Sequence, residues 1–247
     1  LLHSGYPTNS GTGLQLPVTD SLVVDGSIYL TGYGLRGANG AGSGYGARGE
    51  AYDATGTSVV AGSTGDAGAS YGGLAQGGSN AAYGVLENPA HFGSGGSGCN
   101  NGGNGGGLAT ISAGVLNLTG NIQANGTTGG NCAYGGGAGG GSGGGIRIAC
   151  GKITGTGYIY AYGGNGTNQA PTAGGGGRVA IYYADIAGFD QTHITVRGGL
   201  TRTGSAGTIY LKDSADSFGS LITDNDNYGS GIFTPLATSL DTINHID

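Results

Sequence analysis

The sequence predicts an all-β protein, a stacked β-solenoid or two-sheet repeat with ordered, polyglycine II-like runs between its strands. Three observations lead to this prediction. Glycine makes up 62 of the 247 residues, short segments of alternating apolar and polar residues separate the glycine runs, and these segments recur about every 30–40 residues, as in repeat arrays. The hydrophobic share of 36% and the charged share of only 9% differ from the charge-rich composition of a disordered chain.

Three segments follow one template: an aliphatic residue, three further residues, Gly, any residue, Ile, any residue, Leu or Ala, any residue, Gly. They begin at Leu22, Leu116 and Ile153, and a weaker fourth copy begins at Ile194. Because the same constrained positions recur at the same spacing, we interpret the segments as an internal repeat.

A second strand is predicted where each glycine run ends. These closing strands begin at Leu108, Ile146, Val179 and Ile209. Apolar residues alternate with polar or aromatic ones along them, so each strand would bury one face. Strands this short cannot bury a face alone, and the prediction therefore requires successive units to stack.

The longest glycine-rich stretch runs from Gly126 to Ala149. A helix is excluded there, because each interior glycine costs about 1 kcal/mol relative to alanine. Flexible loops and extended glycine helices with about three residues per turn remain as alternatives. We expect packed glycine helices, because ordering the loops without contacts would cost much chain entropy.

Three regions are predicted along the chain. Residues 1–21 form an N-terminal leader that could contact another subunit, and residues 22–212 form the glycine-rich β-repeat domain with an insertion at 35–107. Residues 213–247 contain no further glycine run and would cap the repeat or reach a neighbouring subunit. Because the chain begins at Leu1 and contains no methionine, we expect a mature form or a fragment of a larger protein.

The unit that ends in Gly-Gly-Gly-Ser-Gly-Gly-Gly-Ile-Arg-Ile, residues 139–148, resembles the glycine-rich β-repeat regions of very large secreted bacterial surface proteins. Its glycine runs are also similar in kind to the packed glycine helices of the anaplastic lymphoma kinase ectodomain and of some phage tail-fibre adhesins. The resemblance is one of pattern and covers roughly residues 22–212. It implies an extracellular structural or adhesive role and transfers no functional residues.

Charge and motifs argue against several functions. The net charge of −6 predicts no binding to nucleic acid, and no apolar run approaches the roughly 20 residues of a membrane span. Gly-x-Gly-x-x-Gly spacings occur in the glycine runs, but a phosphate loop must open a helix, whereas these runs open strands. The histidines lack a nucleophile motif, so we predict no enzyme and no cofactor.

Asp224 and Asp226 begin a segment that resembles the first half of a calcium loop. The Glu expected at the twelfth position is replaced by Pro235, so an EF-hand is rejected. A looser Ca²⁺ turn at the two aspartates is a weak alternative to an Asx turn.

Three cysteines allow one disulfide and one unpaired thiol. Cys99 and Cys132 lie in glycine runs of consecutive units, and stacking would bring these runs together. Cys99–Cys132 is therefore the favoured pair, which leaves Cys150 free or bonded to another chain. Three reduced, buried thiols are the alternative.

Asn117, Asn125 and Asn165 begin Asn-x-Thr triplets, the acceptor pattern for N-glycosylation. In a chain rich in Gly, Asn and Thr, such triplets also arise by chance.

The tyrosines of residues 158–162 alternate along one strand. This alternation predicts that their side chains pack in the core or against another subunit, and a row that binds sugar is the alternative.

These observations predict an extracellular structural protein that self-assembles into a filament, sheath or surface layer, with copies of itself as partners. One alternative is an adhesin segment of a larger surface protein that presents the 35–107 insertion to a glycan. Another is a polysaccharide-cleaving β-helix enzyme, which would need carboxylates about 5–10 Å apart in a groove.

Overall fold

The computed structural model describes residues 11–39, 48–77, 79–99, 101–131, 136–167, 172–201 and 204–246. These residues form fifteen strands and one 3-10 helix, Gln191–His193. The strands are β1 (Leu14–Pro17), β2 (Ser21–Val24), β3 (Ser27–Tyr29), β4 (Glu50–Tyr52), β5 (Val59–Ala61), β6 (Leu108–Leu118), β7 (Asn121–Gln123), β8 (Gly145–Gly155), β9 (Tyr158–Tyr160), β10 (Arg178–Tyr183), β11 (Asp185–Phe189), β12 (Ile194–Thr195), β13 (Thr208–Asp213), β14 (Ser220–Ile222) and β15 (His245–Ile246). No helix in this described part of the chain is long and apolar enough to cross a membrane.

Nine strands make the largest sheet. Its order is β1-β6-β8-β10-β13-β14-β15, with β2 paired to β6 and β11 paired to β8. The pairs from β1 to β13 are parallel, whereas β14 pairs antiparallel with β13. The sheet therefore has one edge at β1 and β2, and its other side ends at β15 and, beside β8, at β11.

A second sheet contains four parallel strands in the order β3-β7-β9-β12. One row of it consists of directly paired, buried isoleucines: Ile28, Ile122, Ile159 and Ile194. A buried row of the large sheet consists of Ile111, Ile148, Ile181 and Leu211. Both rows belong to the main hydrophobic core, where burial of each such side chain contributes about 1.5–3 kcal/mol.

The glycine-rich segments lie outside the strands and yet are largely buried. We call five of them the glycine layer: residues 93–98, 102–107, 139–144, 172–177 and 204–207. Their backbones hydrogen-bond to one another, as in the bonds from Gly96 N to Gly103 O (2.8 Å), from Gly103 N to Gly139 O (3.0 Å) and from Gly143 N to Gly175 O (3.0 Å). These buried peptide groups are thus paired with another segment instead of with water.

The insertion and the C-terminal segment add structure that the repeat template does not contain. Within the insertion, β4 and β5 form a separate antiparallel sheet, and Leu35, Phe92 and Leu108 make a small core beside it. A third cluster joins Leu86 of the insertion to Leu221 of β14. These clusters attach the insertion and the C-terminal segment to the large sheet.

The predicted fold class is wrong: no solenoid is identified among the described residues. The described part of the chain instead forms a mixed structure of several sheets, with parallel and antiparallel pairs and a single short helix. The template follows only the parallel strands. The template could not predict that β14 runs antiparallel to β13 or that the insertion forms its own sheet. Both features depend on pairing between segments that do not contain the template.

Candidate functional site

The first edge of the large sheet is formed by β1 and β2. Within the described residues both strands pair only with β6, so their other side offers backbone groups to a further strand. Leu14, Leu16 and Leu22 pack partly buried against the core, while the Val23 side chain is 60% exposed. Among the described residues, this edge therefore combines unpaired strand backbone with one exposed large apolar side chain, Val23.

The opposite end of the large sheet is covered by the C-terminal segment, residues 214–246. Several large apolar side chains are exposed there: Phe218, Tyr228, Phe233, Leu236 and Ile246. Phe233 has the largest exposed fraction of these, 73%, and its neighbour Thr234 donates a hydrogen bond to Ala206 O beside β13 (2.8 Å). Exposed apolar side chains in this number on one segment are typical of an interaction surface.

Glu87 of the insertion anchors this C-terminal segment. Its carboxylate accepts hydrogen bonds from Thr238 Oγ1 (2.9 Å) and from Ser239 N (2.8 Å). Leu86 N donates to Ala237 O (2.9 Å). Burial alone would raise the pKa of Glu87, but the hydrogen bonds from Ser239 and Thr238 outweigh it and lower the pKa, as expected for a carboxylate that is stabilised in its charged form.

The outer face of the four-stranded sheet carries a column of aromatic rings. The ring centroids of His193 and Tyr158 are 4.0 Å apart, those of Tyr158 and Tyr160 are 5.5 Å apart, and those of Tyr160 and Tyr162 are 4.9 Å apart. Arg197 lies 4.1 Å from the Tyr162 ring centroid. Tyr158 stacks on His193 and on Tyr160, while the ring of Tyr162 is tilted by 39° to that of Tyr160. These ring contacts stabilise the sheet, as expected for aromatic pairs.

The cysteines differ in oxidation state. Cys99 is disulfide-bonded, whereas Cys150 on β8 is a free, partly buried thiol whose pKa is raised by burial to about 11. Cys132, the predicted partner of Cys99, lies outside the described residues, so this pairing stays a prediction. A disulfide is typical of proteins in an oxidising compartment.

The three predicted glycosylation residues are all half-buried. Asn117 lies on β6 between Val23 and Thr154. Asn125 Oδ1 accepts a hydrogen bond from Tyr162 N (2.8 Å), and Asn165 Oδ1 accepts one from Leu200 N (2.7 Å). These amides tie neighbouring segments together, and their glycosylation stays a prediction.

Asp224 and Asp226 lie in an Asx turn, in which Asp224 Oδ1 accepts a hydrogen bond from Asp226 N (2.8 Å). Burial raises the pKa of Asp226, the charge of Asp224 raises it further, and Arg197 offsets part of the increase. Arg197 Nε is 3.4 Å from Asp226 Oδ2. Among the described residues, no group of three or more His, Cys, Asp or Glu side chains is arranged to hold a metal ion.

Sequence reasoning missed a buried polar cluster around Arg178. This side chain is fully buried at the start of β10, and its Nη1 donates to Thr208 Oγ1 (3.1 Å). The guanidinium carbon lies 5.6 Å from the centroid of the Tyr71 ring. No spacing in the sequence connects Tyr71 of the insertion to Arg178, because the contact depends on how the insertion folds back.

Comparisons of the chain with protein-family models, with curated proteins and with solved structures found no match. Its function has to be inferred from its own residues.

Proposed function

We propose that the protein is an extracellular structural protein without enzymatic activity, which assembles with copies of itself into a filament, sheath or surface layer. The observation that carries this proposal is the presence of two different surfaces at opposite ends of the large sheet, the strand edge at β1 and β2 and the exposed apolar side chains of the C-terminal segment. Val23 is exposed at one end and Phe233 at the other. The disulfide at Cys99 supports the extracellular location, since disulfides persist in oxidising environments.

Contact between two different ends of successive copies is a heterologous contact. After two copies pair in this way, each still has one unoccupied end. Further copies can therefore add, which produces open chains of subunits unless the rotation between them closes a ring. The strand edge at β1 and β2 would add backbone hydrogen bonds, and Phe233 and its neighbours would add apolar area.

Substitution at each end tests the proposal. Val23→Lys places a charge on the exposed strand edge, and Phe233→Lys places one on the C-terminal surface, so each variant should sediment as a monomer where the unmodified protein forms larger species. Mixing the two variants should restore dimers, because each retains one intact end. Sedimentation velocity and electron microscopy over a range of concentrations measure both effects.

Val60→Lys is the matched control, because Val60 is also an exposed strand valine (42%) but lies on β5, in the separate sheet of the insertion. It should assemble like the unmodified protein. A monodisperse monomer at high concentration, or equal loss of assembly in the Val23 and Val60 variants, would contradict the proposal.

A further inference from the structure

A polar cavity lies between the two ends of the insertion and the segment that follows β7. Its volume is about 480 Å³, within the roughly 300–1,000 Å³ of small-ligand sites. Three segments line it, residues 36–39, 101–104 and 127–130. None of its lining residues belongs to β1, to β2 or to the C-terminal segment, which the proposed self-association uses.

Some of the lining side chains are fixed by the protein itself. Asn104 Oδ1 accepts a hydrogen bond from Gly37 N (2.9 Å), and Asn104 N donates to Thr127 Oγ1 (2.8 Å). Asn101 Nδ2 donates to Asn131 O (3.4 Å). These bonds determine which way both amides point, and within the described residues Asn104 Nδ2 and Asn101 Oδ1 make no hydrogen bond.

Other lining side chains keep their full hydrogen-bonding capacity. Asn39 and Thr128 make no side-chain hydrogen bond within the described part of the chain. An amide and a hydroxyl group each donate and accept. Together with Asn101 and Asn104, they give the cavity several donors and several acceptors with no formal charge.

Among the described lining residues, the one charged side chain, Arg36, is already paired with a carboxylate. Arg36 Nε donates to Glu50 Oε1 (2.9 Å), and Arg36 N donates to Glu50 Oε2 (3.0 Å). The guanidinium is therefore bound to a carboxylate that satisfies its charge. An anionic ligand would have to compete with Glu50 for it.

We propose that this cavity binds a small neutral saccharide. Sugar hydroxyl groups donate and accept hydrogen bonds at once, which matches the mixed amide and hydroxyl lining. An anion would need an excess of donors and positive charge, and a metal cation would need carboxylates, neither of which the lining supplies. An apolar ligand would leave the amides of Asn39 and Asn104 unpaired, at a cost in affinity.

A printed array of neutral and acidic oligosaccharides tests this site, followed by calorimetry with the neutral sugars that bind. The double variant Asn39→Ala/Thr128→Ala should weaken binding about tenfold, because it removes the two side chains that have no other partner. The affinity should change less than twofold between low and high salt, since no net charge is involved.

Asn121→Ala/Thr119→Ala is the matched control, because it removes the same two side-chain types outside the cavity. It should bind like the unmodified protein, as should Val23→Lys, which separates this site from self-association. Binding to no saccharide on the array, binding to acidic saccharides alone, or equal loss in the two double variants overturns the proposal.

Discussion

Individual glycines allow neighbouring backbone segments to pack closely, because they have no side chain between the segments. A Cβ atom at Gly143 would lie 2.1 Å from Ala161 O and 2.5 Å from Gly177 N, whereas a Cβ atom at Gly26 would meet nothing within 4 Å. Composition therefore cannot tell which of the 62 glycines are required, because the requirement depends on the backbone that passes beside each one.

Gly143→Ala should lower the free energy of unfolding by about 3 kcal/mol, as overpacking does when only backbone lies next to the new methyl group. Gly26→Ala is the matched control and should change it by less than about 1 kcal/mol. Urea titration followed by circular dichroism measures both values. Equal effects of the two substitutions would show that the glycine layer is not closely packed in solution.

At the level of elements, the repeat template identifies positions that become neighbours. Ile28, Ile122 and Ile159 occupy the same template position, and they are direct partners in the four-stranded sheet. The apolar alternation of the closing strands likewise corresponds to the buried rows of β6, β8, β10 and β13. Periodicity is informative here because neighbouring parallel strands repeat the same local environment.

The contacts of the insertion and of the C-terminal segment could not be predicted in the same way. Glu87 bonds to Ser239 across 152 residues, and Tyr71 packs against Arg178 with no pattern that links them. Three of the four residues that carry the proposed saccharide site are asparagines, which in this sequence look like turn residues. Only the folded backbone brings them to one cavity.

The Glu87 anchor predicts a pH dependence of the C-terminal segment. Its folded-state pKa is below the ordinary value of 4.5, so the anchor contributes its full stability above about pH 4.5. That contribution is lost as the pH falls through the lower, folded-state pKa. Hydrogen exchange at the amide of Leu86, which donates to Ala237 O, should therefore accelerate below pH 4.5 beyond its intrinsic rate.

Glu87→Gln should accelerate hydrogen exchange at the Leu86 amide at neutral pH, because the substitution removes about 1–3 kcal/mol of hydrogen bonding to a charged group. It should also remove the acceleration of this exchange below pH 4.5. Asp241→Asn removes one exposed carboxylate from the same segment and should leave exchange at Leu86 unchanged. Unaltered exchange in Glu87→Gln would mean that the segment is held by its apolar contacts alone.

For the whole molecule, the two ends of the large sheet are not equivalent. In the large sheet each strand from β1 to β13 is parallel to its neighbours, whereas β14 is antiparallel to β13. The two ends therefore present different strands, the parallel pair β1 and β2 at one end and the short β15, which follows the antiparallel β14, at the other. If copies associate as proposed, the assembly has a direction, since each contact joins a strand edge to a C-terminal surface.

The glycine layer also has a thermodynamic consequence. Unfolding it would hydrate mainly peptide groups, whose exposure lowers the heat capacity, whereas exposure of apolar side chains raises it. We therefore expect a heat-capacity change of unfolding below the usual 12–15 cal/mol/K per residue, measurable by scanning calorimetry at several pH values. A small heat-capacity change flattens the dependence of stability on temperature, so a protein built in this way would keep nearly constant stability in surroundings that warm and cool.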